Sequence, residues 1–116
     1  MEITSFAFHL RVNNLELCRN FYSELLEPAA PVIDSNFLVE FNVGENVKLI
    51  LALSNADFLE HASSAGGFMF SVDDPEAVIN KLTKSGYELH AKNIFSQGRT
   101  MIRCLDPENN PFYLTR

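Results

Sequence analysis

Side chains able to do chemistry are few and scattered in this 116-residue chain. There are three histidines, His9, His61 and His90, and two cysteines, Cys18 and Cys104. His9 lies in Ser5-Phe6-Ala7-Phe8-His9-Leu10-Arg11-Val12, where apolar and other residues alternate. A period of two predicts a strand with Phe6, Phe8, Leu10 and Val12 on a core face and Ala7, His9 and Arg11 on the other. A histidine paired with a carboxylate such as Glu40 is a minimal acid–base couple. A metal would need more, usually three or more protein ligands. Neither cysteine belongs to a Cys-x-x-Cys pair, so zinc-ribbon and dithiol redox readings have no support. Cys18 falls in a helical pattern and Cys104 in a strand pattern facing the core. Both read as buried free thiols in a reducing cytoplasm, and Cys104 as a poor nucleophile. Asp73, Asp74 and Glu76 cluster at a helix start, where carboxylates serve as caps. Gly-x-Ser-x-Gly, phosphate-loop and dinucleotide motifs are absent from the sequence.

The elements that must position these groups follow from pattern and punctuation. A first strand is predicted over about residues 3–12. Asn13 then offers a helix cap, with Glu16 three residues later, and Cys18, Phe21, Tyr22 and Leu25 recur at helical spacing until Pro28. Residues 29–34 are predicted to be extended. Asn36–Val43 and Asn46–Ser54 read as two strands joined at Gly44-Glu45-Asn46. Residues 55–65 read as a loop with a helical turn at Ala56–Ala62. The pattern then restarts. Gly66–Val72 alternates, Asp74-Pro75 opens a helix with Val78, Ile79 and Leu82 on its apolar stripe, and Gly86 suits its end. Extended pieces are predicted over about 87–93, 99–105 and 110–115, the last two joined by Asp106-Pro107-Glu108-Asn109-Asn110. A shift of 60 residues places Phe8 on Phe68, Val12 on Val72, Asn13 on Asp73, Glu16 on Glu76 and Asn20 on Asn80. The expectation is one α+β domain over residues 1–116 made of two βαβββ repeats, about 3–54 and 66–116.

Composition narrows the partners. A net charge of −6 with no basic patch argues against nucleic acid. No apolar run reaches the roughly 20 residues of a membrane span, and no signal peptide is evident at the start. No nucleic-acid or membrane partner and a cytoplasmic location are expected.

The stretches His9–Leu26, with its Phe21-Tyr22, and Arg99–Leu114, with its Asp-Pro turn, resemble the vicinal oxygen chelate superfamily. That superfamily includes glyoxalase I, bleomycin resistance proteins, fosfomycin resistance enzymes and extradiol dioxygenases. The resemblance spans nearly the whole chain, with Asn109 standing where the family usually has Gly. It implies a cupped mixed sheet with helices on the outer face. It also implies metal positions at Ala7, Ala52, Gly67 and Tyr113, where enzymatic members carry His, Glu or similar ligands. Alanine and glycine have no side-chain donor, and one phenol would not hold a divalent metal. A shifted metal site built on His9 and Glu40 is the remaining metal alternative.

Strand alternation puts Ala7, His9, Arg11, Leu38, Glu40, Asn42, Lys48, Ile50, Ala52, Gly67, Met69, Ser71, Met101, Arg103, Pro111 and Tyr113 on the cup side. Phe37, Val39, Phe41, Leu49, Leu51, Leu53, Phe68, Phe70, Phe112 and Leu114 take the helix side. Arg11 reads as solvated at the strand end, and Glu40 with Arg103 as an ion pair. The expected ligand contacts are His9, Glu40, Asn42, Ala52, Met69, Met101, Arg103 and Tyr113. The resemblance implies a homodimer that sequesters a small organic molecule, aromatic ones included, with no metal or other cofactor, as bleomycin resistance proteins do. The rival readings are a lyase, isomerase or dioxygenase, with His9 and Glu40 as acid and base in its metal-free form, and a dimerising module with a filled cup.

Overall fold

Asn14 and Asp74, 60 residues apart, begin the two helices in the same way. The Asn14 side chain accepts a hydrogen bond from the Leu17 backbone N–H at 3.1 Å, and the Asp74 side chain accepts one from that of Ala77 at 3.2 Å. Each oxygen satisfies a donor that a helix start leaves without a partner. The first cap is therefore Asn14 and not Asn13, whose side chain instead accepts from the Ser54 hydroxyl at 2.8 Å. The 60-residue repeat survives the correction, because Asn14 and the expected cap Asp74 are themselves 60 residues apart.

The computed structural model describes residues 1–26, 30–54, 67–96 and 98–116. They fall into two compact units, Met1–Ser64 and Ala65–Arg116. The expected helix end at Pro28, the start of the expected extended piece at residue 29, the expected loop at 55–65 with its helical turn, and His61 lie outside the described residues.

Unit one contains β1 (Phe6–Val12), α1 (Leu15–Leu25), β2 (Ile33–Asp34), β3 (Leu38–Gly44) and β4 (Val47–Leu53). Its sheet order is β1-β4-β3-β2, with β1 parallel to β4 and the other pairs antiparallel. Asn46 turns the β3–β4 hairpin at φ 59°, a conformation that asparagine tolerates. Helix α1 buries Leu15, Cys18, Phe21 and Tyr22 and contacts β3 and β4. Leu10, Val12, Val39, Phe41 and Leu51 complete this core. Full burial of a side chain such as Phe41 contributes on the order of 1.5–3 kcal/mol. Strand β1 starts three residues later than expected, and Phe37, expected beneath the helix, is 57% exposed just before β3 begins.

Unit two contains β5 (Phe68–Ser71), α2 (Pro75–Lys84), β6 (Lys92–Ser96), β7 (Arg99–Leu105) and β8 (Pro111–Thr115), with sheet order β5-β8-β7-β6. The strand pattern repeats that of unit one, with β5 parallel to β8 and the rest antiparallel. Helix α2 ends in a reciprocal pair of backbone bonds, from Tyr87 N–H to the Leu82 carbonyl at 3.2 Å and from Gly86 N–H to the Thr83 carbonyl at 3.0 Å. Gly86 sits at φ 97° there, which a side chain would strain. The buried Asp106 closes the β7–β8 turn. Its carboxylate accepts from Glu108 N–H at 2.8 Å, Asn110 N–H at 2.9 Å and the Asn110 side chain. Asn109 adopts φ 66°, so this turn keeps the left-handed geometry for which glycine is usual.

The sixth strand differs from expectation. It runs over Lys92–Ser96 and not 87–93, so His90 lies outside it, at φ 50°. Gly98, at φ 74°, belongs to the β6–β7 connection.

The fold is thus α+β, with two mixed four-stranded sheets, each belonging to one βαβββ unit.

Candidate functional site

Register decides which side chains stand together, because residues opposite each other on paired strands share a face. On the open face of the first sheet three rows run across the strands. His9, Ile50, Glu40 and Ile33 form one row. Ala7, Lys48 and Asn42 form the second, and Arg11, Ala52 and Leu38 the third. The structure therefore places the expected contacts His9, Glu40, Asn42 and Ala52 on one surface. His9 is exposed, while Glu40 is 9% exposed and Ala52 is fully buried.

Glu40 is held by its neighbour on β4. Lys48 Nζ stands 3.3 Å from its carboxylate. Lys48 is thus an ion-pair partner of Glu40 within unit one. Arg11 departs from the solvated strand-end reading. It is half-buried, and its Nε is buried with no hydrogen-bond partner among the described residues.

On the open face of the second sheet, Lys92, Arg103, Tyr113 and Met69 form one row. Ile94 stands opposite Met101 in the next. Met69, Met101, Arg103 and Tyr113 are brought together as expected from alternation, with Met69 42% exposed and the other three half-buried. The sequence reading did not name Lys92 or Ile94, and Ile94 fell beyond the strand it placed over 87–93. A usable signal was present, since Gly98, a residue type that readily takes the positive φ of a turn, stands directly before β7.

Gly67 explains itself through Tyr113. A Cβ at residue 67 would stand 3.0 Å from Tyr113 Cε2 and 3.3 Å from the Pro111 carbonyl oxygen. The tyrosine ring thus lies against the space a side chain at this position would enter. Of Ala7, Ala52, Gly67 and Tyr113, only Tyr113 offers a donor atom, so this set does not fit a divalent metal. Among the described residues no group of three or more His, Cys, Asp and Glu is gathered in a way that could hold one.

His9 and Glu40 lie two strands apart in their row, about 10 Å at the usual strand spacing. A substrate using both would have to reach across Ile50. Cys104 is buried on the helix side, with its thiol pushed up to about 11, first by burial and then by the charge of Glu76. It is correspondingly unreactive near neutral pH. No helix of the described residues is long and apolar enough to cross a membrane.

No protein-family model matches the chain, and no curated protein does. Solved structures do. A glyoxalase-related enzyme from Fulvimarina pelagi superposes with a TM-score of 0.76 at 16% identity, over 99% of this chain and 88% of that one. A glyoxalase/bleomycin resistance protein from Catenulispora acidiphila gives 0.71 at 21% identity, over 98% and 97%. A bleomycin-binding protein complexed with bleomycin gives 0.66 at 16% identity, over 100% and 98%. The fold is shared with these glyoxalase-related and bleomycin-binding structures. At these identities the likeness is one of fold, on which sites vary.

Proposed function

We propose that this protein binds a small organic molecule on its open sheet faces, without a metal and without chemistry of its own, in the manner of a sequestering protein. The observation that carries the reading is the residue set at the positions where the resemblance expects metal ligands. Ala7, Ala52 and Gly67 offer no donor, and the ring of Tyr113 lies against Gly67. The surrounding surface supports binding. Met69, Met101, Ile94 and Tyr113 offer adaptable apolar contact, and Arg103 a polar anchor among them. The bleomycin-binding protein of the same fold takes its ligand as a small molecule. Drug sequestration, and with it antibiotic resistance, is the biological role this reading implies, with a homodimer in the cytoplasm as the working assembly.

Two measurements test it. A thermal-shift screen with aromatic and cationic compounds should raise the melting temperature with at least one, since a ligand bound only by the folded state stabilises it. No shift at high concentration would count against binding. Metal analysis of the purified protein should find no stoichiometric Zn, Ni, Mn or Fe. Finding one would return the enzyme reading to first place.

A further inference from the structure

We infer that the open face of the first sheet selects an organic anion, whose carboxylate or phosphonate oxygens are received by Arg11. The inference rests on the proposal that this face takes a small molecule, and it names the chemical class. Arg11 stands in register with Ala52, which is fully buried, and Leu38 follows in the same row. A methyl group on one side and an apolar chain beyond it provide no acceptor. The Arg11 Nε is buried with no hydrogen-bond partner among the described residues. A guanidinium keeps its charge at every accessible pH, and a buried donor left unmatched is costly.

The remaining charges of the face do not answer Arg11. Glu40 is the carboxylate among the described residues of this face, and Lys48 engages it at 3.3 Å. Those two charges cancel, leaving Arg11, with His9 exposed two residues away on the same strand. Of the rest, Ala7, Ile33, Leu38, Ile50 and Ala52 are apolar, and Asn42 is uncharged and stands two rows from Arg11. An apolar floor beside a guanidinium whose Nε is unmatched suits a molecule with an apolar body and an oxyanion, because guanidinium and carboxylate or phosphonate oxygens match in charge and fork geometry. The chain as a whole carries −6, so general attraction would favour cations. Preference for an anion must therefore come from this local donor. If Arg11 instead covers Ala52 with its aliphatic stem and serves packing alone, its removal changes stability and leaves ligand preference alone.

The experiment titrates benzoate, phenylphosphonate, benzyl alcohol and benzylamine into the whole protein labelled with nitrogen-15. Backbone resonances of β1 and β4 and the Arg11 Nε–Hε resonance are followed. The expected result is that benzoate or phenylphosphonate moves the Arg11 resonance and binds about tenfold or more tightly than benzyl alcohol. The two acids distinguish a carboxylate site from a phosphonate site. Arg11→Gln should bring the acids down to the alcohol's affinity, while Arg11→Lys should keep part of the preference. Dispersed spectra of both variants establish that they are folded, and the parent's Arg11 resonance decides the matter even if one is not. Benzyl alcohol or benzylamine binding as tightly as the acids, with the Arg11 resonance still, would overturn the anion inference and leave the small-molecule reading standing. Acids bound equally by parent and Arg11→Gln would also overturn it. If none of the four compounds moves any resonance, the inference and the binding reading both fail.

Discussion

Unit one seats its helix with Leu15, Cys18, Phe21 and Tyr22, all buried, whereas in unit two α2 buries Leu82 and leaves Val78 and Ile79 half-exposed. The open faces diverge as well. The first carries His9, Arg11 and the Lys48–Glu40 pair around a buried Ala52, and the second carries Met69, Met101 and Tyr113 around Arg103. Strand order and the caps at Asn14 and Asp74 are nonetheless the same. The difference teaches that topology and capping constrain a repeat tightly, because each needs specific backbone partners. The open face needs only compatible volumes and satisfied charges, and is free to diverge.

The largest expected effects break the core comparison. Phe41→Ala in unit one should cost about 3–5 kcal/mol in urea unfolding. Leu82→Ala in unit two should fall toward the lower end of about 2–5 kcal/mol, because its half-exposed neighbours can collapse into the gap. Equal costs would erase the distinction between the two helix seats. Next comes the β7–β8 turn. Asp106→Ala removes an acceptor shared by three donors, two of them backbone N–H groups, and should cost about 2–3 kcal/mol.

A smaller effect separates Gly67 from Ala7, which the 60-residue shift superposes. Gly67→Ala presses a methyl against Tyr113 and should cost about 1–2 kcal/mol, much of it recovered when Tyr113 is also shortened to Ala. Ala7→Val, on an exposed strand position, should stay within about 0.5 kcal/mol. Non-additivity of the Gly67 and Tyr113 changes, measured as a double-mutant cycle, is the decisive number.

The smallest effect belongs to the Arg19–Asp34 pair of unit one, which has Ile79 in place of arginine in the second repeat. Arg19 donates from Nε and from a terminal nitrogen, the latter at 2.7 Å, and holds Asp34 below its ordinary value of 3.8. A depressed folded value means the contribution is complete above 3.8 and is lost as pH falls through the folded value. Asp34→Asn should therefore melt slightly below the parent at neutral pH and together with it in strong acid. A gap that persists in acid would assign the effect to something other than this ion pair.

The repeat, the two helices and most strands were legible because they rest on local signals: alternation, helical spacing and cap residues. The misplacements have local causes too. Asn13 and Asn14 are both competent caps, and only the backbone path chooses between them. Residues 87–91 contain enough β-forming character to resemble a strand, but Gly86 and His90 both take positive φ there. Of the candidate site, face assignments within each strand were legible, since a period of two sets them. Partners were not. Within unit one the neighbour that reaches Glu40 is Lys48, which the sequence reading did not pair with it, because register across β3 and β4 places them diagonally on one face.

By itself the sequence determined the paired βαβββ organisation, the cap at Asp74, and the lack of donors at Ala7, Ala52 and Gly67, because these follow from residue type and short-range spacing. Only tertiary structure decided that Arg11 keeps a buried, unmatched Nε, that Lys48 answers Glu40, and that Tyr113 occupies the space beside Gly67. Each of these depends on which strands pair and in what register, and register is fixed by contacts between residues far apart in the chain.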